Sequence, residues 1–124
     1  MKLLNKIKGH SNSTALILKN GKKISFKKLL LDSEKLQNKL DKRSLVFIIS
    51  QNNYETIVSY ISLLINKSVI MFVDKNLDNV FFQNLIKIYS PNYIIAEENL
   101  KLENYQNIHE FLDYKIFRQV KFKK

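Results

Sequence analysis

The chain of 124 residues has no cysteine, no tryptophan, one proline and two glycines. Without thiols there can be no disulfide, no thiolate metal site and no cysteine nucleophile, and nothing points to an oxidising compartment. The scarcity of glycine is equally restrictive. Loops that cradle phosphates need several positions that only glycine can occupy, or where the backbone must approach the ligand closely. With only Gly9 and Gly21 present, neither G-x-G-x-x-G nor G-x-x-x-x-G-K-[ST] can be written anywhere. Long apolar runs are also missing: residues 45–49 and 61–65 fall far short of the roughly 20 residues that span a bilayer. The opening Met1-Lys2-Leu3-Leu4-Asn5-Lys6-Ile7-Lys8 is basic, lysines interrupt its apolar residues and no apolar signal core follows. A cytoplasmic location is the expectation.

What is present describes one globular domain, residues 1–124. The hydrophobic share is 45% with 11% aromatic residues, far from the profile of a disordered chain, and the length suits one core rather than two. The net charge of +10 raises the question of a nucleic-acid or membrane partner. Nearly all of it is lysine, however, with arginine only at Arg43 and Arg118, and recognition of phosphates and bases by fork geometry favours arginine. Lysine is spread through every segment, so a nucleic-acid partner is disfavoured.

Periodicity orders the elements. Thr14-Ala15-Leu16-Ile17-Leu18 and Lys23-Ile24-Ser25-Phe26 flank Asn20-Gly21, a pair suited to the positive φ values of a type I′ hairpin turn. Ser25 can cap the next helix, in which Phe26, Leu29, Leu30, Ser33, Leu36 and Leu40 share a face. Leu45-Val46-Phe47-Ile48-Ile49 is apolar without alternation, as in a strand buried on both faces of a parallel sheet. Asn52, with Glu55 three positions on, reads as a capping-box variant. The helix behind it carries Tyr54, Ile57, Val58, Ile61, Leu64 and Ile65. Val69-Ile70-Met71-Phe72-Val73 reads as a second buried strand ending at Asp74, and Val80, Phe81, Leu85, Ile88 and Tyr89 mark a third helix, stopped by Ser90-Pro91. Tyr93-Ile94-Ile95-Ala96 is a third strand. Strands joined by single helices need crossovers, so the expected fold is α/β: a Rossmann-like, three-layer parallel βαβαβ sheet preceded by a hairpin and a helix. Residues 97–107 read as loop, residues 109–112 as a helical turn and residues 114–122 as an edge strand.

No catalytic, cofactor-binding or metal-binding residue can be assigned. His10 and His109 are far apart, and although His109 and Asp113 would share a helix face, a zinc site needs three or four convergent ligands. Asp74 and Asn52 stand at strand ends, where α/β sheets bind ligands, but a turn aspartate and a helix cap account for them. Aromatic residues alternating with cations in Lys115-Ile116-Phe117-Arg118-Gln119-Val120-Lys121-Phe122 could stack on single-stranded nucleic acid, yet the flanking glycines of RRM signatures are missing. An amphipathic strand is the reading preferred.

Taken in order, several segments resemble those of AMP-binding, adenylate-forming enzymes: acyl-CoA synthetases, adenylation domains of peptide synthetases and luciferases. Gly21-Lys22-Lys23-Ile24-Ser25-Phe26-Lys27-Lys28-Leu29 resembles the family's "G-x-x-(I/L)-(T/S)-(Y/F)-x-x-L" opening. Residues 45–55, ending in Asn52 and Glu55, resemble its "V-x-(I/V)-x-x-x-N-x-x-E" segment, and Ser59-Tyr60-Ile61-Ser62-Leu63-Leu64 resembles the helix that follows. Val73-Asp74-Lys75 stands where the family has "(L/V)-D-P", and Ser90-Pro91-Asn92-Tyr93-Ile94-Ile95 is similar to its "x-P-x-(Y/L)-(I/V)-(I/V)" strand. The resemblance covers residues 13–96. It departs at Asn66-Lys67-Ser68, where the family carries a small Ala-Gly pair before the second strand, and at Lys75, which replaces a proline.

The resemblance implies an incomplete N-terminal subdomain of an ATP-dependent ligase, an excised or naturally truncated piece whose parent activates a carboxylate to an acyl-adenylate and then forms a thioester. The family's phosphate loop, adenosine motif and catalytic lysine follow the matching region, so this chain by itself is expected to hold no cofactor and to be inactive, with ATP and Mg belonging to the parent. The expected partner is the remainder of the parent, or a second copy, through an exposed apolar flank. The alternative is a small, basic, stand-alone binding or association module without enzymatic activity.

Overall fold

The computed structural model describes residues 13–98 and 100–120. The basic opening segment with His10, and residues 121–124, lie outside the described residues.

Strands β1 (Thr14–Ile17) and β2 (Lys23–Ser25) form an antiparallel hairpin. Its turn differs from the type I′ expected of Asn20-Gly21. Of that pair only Gly21 has a positive φ, 83°. Gly21 N donates to Leu18 O and Leu18 N to Lys22 O, both at 2.8 Å. This is a three-residue loop closed by a left-handed glycine bulge. Ser25 caps helix α1 (Phe26–Gln37) as expected, its side chain accepting from Lys28 N at 3.1 Å.

Strand β3 (Leu45–Ser50) leads to helix α2 (Tyr54–Ile65), β4 (Val69–Asp74), α3 (Asn79–Tyr89) and β5 (Tyr93–Ala96). β3 pairs in parallel with both β4 and β5, so the βαβαβ core is present. The cap of α2 is Asn53 rather than Asn52: its side chain accepts from Thr56 N at 3.0 Å. Asn53 has an extended φ of −145°, the cap conformation, while Asn52 is exposed.

The all-parallel expectation needs correction beyond β5. Strands β6 (Tyr105–Phe111) and β7 (Tyr114–Gln119) complete a mixed sheet of order β4-β3-β5-β7-β6, with β7 antiparallel to both neighbours. Two residues, Leu112 and Asp113, separate β6 from β7, and so tight a connection enforces antiparallel pairing. Residues 109–111, read as part of a helical turn, are strand, and Leu112 has a left-handed φ of 50° that turns the chain. β7, read as an amphipathic edge, is interior: Tyr114, Ile116 and Phe117 are buried against β5.

Two core layers follow from strand alternation. Val46 and Ile48 of β3, with Tyr93 and Ile95 of β5, meet Leu29, Leu36, Val58 and Ile61 of α1 and α2. Phe47, Ile94 and Ala96 point the other way and meet Phe82 of α3. The β3-to-β4 crossover and the β4-to-β5 crossover, which passes over β3, run in opposite lateral directions, and this puts their helices on opposite faces. Serines let α1 and α2 approach closely: Ser62 Oγ donates to Val58 O at 2.6 Å and lies 2.9 Å from Ser33 O, while Ser33 Oγ donates to Leu29 O at 2.7 Å. Back-bonding to its own helix satisfies a hydroxyl where no water reaches.

β4 is an edge strand, not the doubly buried one expected. Val69 is 66% and Phe72 51% exposed, and the Phe72 ring lies 5.7 Å from that of Tyr60, also exposed. On α3, Val80, Phe81, Ile88 and Tyr89 are exposed while Phe82, Leu85 and Ile86 pack inward. The opposite edge, β6, shows Gln106, Asn107 and Glu110 to solvent, the polar protection an edge usually carries.

Helix α2 ends in a Schellman motif, with Ser68 N donating to Leu63 O at 3.0 Å and Lys67 N to Leu64 O at 3.3 Å. The pivot, Lys67, has φ 59° in the position usually given to glycine. Lys67→Gly is therefore expected to raise stability by up to about 1 kcal/mol, relief of left-handed strain outweighing the added chain entropy. Urea denaturation measures it. In the same assay Phe47→Ala, at 0% exposure, is expected to lose about 3–5 kcal/mol, whereas Phe72→Ala costs well under about 1 kcal/mol.

Candidate functional site

Strand order β4-β3-β5 reverses direction at β3, so the carboxyl ends of β3 and β5 flank a topological switch point, where open α/β sheets bind ligands. A cavity of about 190 Å³ lies there. Its floor is apolar, including Ile49, Val73, Phe82 and Ala96, and its rim carries Gln51, Asp74, Lys75 and Glu97.

Local sequence puts each rim group in place. Gln51 follows β3 directly and Glu97 follows β5, and the Gln51 carboxamide Nε2 donates to a Glu97 carboxylate oxygen across the switch point. Lys115 of β7 donates through Nζ to Glu97 O at 3.1 Å. The Gln51 backbone is fixed from behind, its N–H donating to Thr56 Oγ1 at 3.1 Å; the same hydroxyl lies 3.1 Å from the Tyr114 phenol, to which Asn53 Nδ2 donates at 3.0 Å. Tyr114 is fully buried, so this network ties the β3–α2 turn to β7. Asp74 accepts from Asn76 N at 2.8 Å and its carbonyl from Leu77 N at 3.0 Å. Asp78 caps α3, accepting from Phe81 N at 3.2 Å.

Of the residues weighed from sequence, Asp74 does reach this rim, in the turn role expected of it. His109 lies on β6, away from the switch point, and Asp113 is in the β6–β7 turn, so the supposed shared helix face does not exist. Phe117 is 2% exposed and cannot serve as a stacking platform. Sequence reasoning passed over Gln51 and Glu97. The available signal was that each is the first residue beyond an apolar strand on either side of the switch. Among the described residues no group of three His, Cys, Asp or Glu could hold a metal ion. The rim groups Gln51, Asp74, Lys75 and Glu97 supply hydrogen-bond donors and acceptors at the mouth of the cavity.

No protein-family model matches the sequence. A search of curated proteins also finds no match. Solved structures do match. The N-terminal subdomain of Klebsiella oxytoca NpsA, in complex with 3-hydroxyanthranilyl-AMSN, superposes with a TM-score of 0.65 at 19% identity, over 75% of this chain and 25% of that one. NpsA from the same organism with the same ligand gives 0.61 at 19%, over 75% and 20%. Apo MatB from Rhodopseudomonas palustris gives 0.62 at 17%, over 66% and 17%. MatB and NpsA are AMP-binding family members. The chain thus shares the fold of that N-terminal subdomain, a mixed α/β sheet with three helices, and spans a quarter or less of each structure's length.

Three phenols are held in their neutral form. Burial, with Asp32 accepting the Tyr54 hydroxyl at 2.7 Å, raises the Tyr54 pKa strongly; burial also raises that of Tyr93. Burial pushes Tyr105 up to about 12 while its hydroxyl donates to Pro91 O at 2.6 Å. Raised folded values mean stabilisation that is fully present below pH about 10 and lost as pH rises from there through the folded values. Thermal melts from pH 8 to 12 are expected to show a falling Tm above pH 10, and a shallower fall in Tyr105→Phe.

Proposed function

We propose that the chain is the N-terminal scaffold of an adenylate-forming ligase, which uses ATP and magnesium to activate a carboxylate as an acyl-adenylate and then passes it to a thiol. The shared fold with the NpsA N-terminal subdomain over 75% of the chain is the observation that carries this reading. The ordered motifs from Gly21 to Ile95 support it from the sequence side. ATP and magnesium belong to the remainder of the parent, because two glycines cannot build a phosphate-cradling loop here. The chain's own contribution is the sheet and the Gln51–Glu97 clasp at its carboxyl edge. The remainder of the parent covers the apolar flank of Val69, Phe72 and Tyr60; alone, the chain pairs with a second copy through it. A cytoplasmic location belongs to the same proposal. No helix among the described residues is long and apolar enough to cross a membrane.

The gene beyond Lys124 is expected to encode a glycine-rich Ser/Thr loop followed by lysine, and the full-length product to catalyse carboxylate-dependent ATP–pyrophosphate exchange. The 124-residue chain alone is expected to give none. Exchange by the isolated chain, or a reading frame without such a loop, contradicts the proposal. In sedimentation velocity the isolated chain is expected to self-associate, and Phe72→Lys to return it to monomer.

A further inference from the structure

We draw no further inference here: the strongest candidate, the exposed apolar patch that Val80, Phe81 and Ile88 form on helix α3, carries none because nothing in the structure shows what covers it.

Discussion

Burial of β3 and β5 on both faces at once is the constraint on which the rest of the structure depends. Val46, Phe47, Ile48, Ile94 and Ile95 are all at 0% exposure, so neither strand can give one face to water. Helices must therefore lie on both sides, and the opposite directions of the two crossovers supply them, α2 to one face and α3 to the other. The reversal that satisfies this packing also creates the switch point and its cavity. Site and core are two consequences of one topological requirement.

The sheet's two edges are finished differently. β6 carries polar side chains and is tied to the rest of the sheet by the short turn into β7. β4 leaves Val69 and Phe72 uncovered, Phe72 beside the exposed Tyr60 of α2. An apolar edge of this kind is a liability for an isolated domain but an ordinary surface for one that is covered by further chain. The structural neighbours are four or more times longer than the span they share with this chain, which is the setting in which such an edge makes sense.

Much of the core was legible in the sequence because its signals are local. The unbroken apolar runs gave β3 and β5, Ser25 gave the α1 cap, and Ser90-Pro91 gave the end of α3. Failures came where a partner distant in sequence decides the outcome. Val69-Ile70-Met71-Phe72-Val73 reads like Leu45-Val46-Phe47-Ile48-Ile49, yet only pairing on one side distinguishes an edge from a centre. β6 lacks a periodic apolar pattern and exists because β7 pairs with it. The clasp between Gln51 and Glu97 joins residues 46 positions apart, and only the strand order brings them together. The replacement of a small pair by Asn66-Lys67 was visible, but the left-handed backbone at Lys67 was not.

Amide hydrogen exchange measures the central constraint most directly. If β3 and β5 form the doubly covered core, amides of Phe47, Ile48, Ile94 and Ile95 should exchange only through global unfolding, with the highest protection in the chain. β4 amides facing away from β3 should exchange faster by orders of magnitude. Protection of β4 equal to that of β3 in the monomer, or early exchange in β5, would contradict the account.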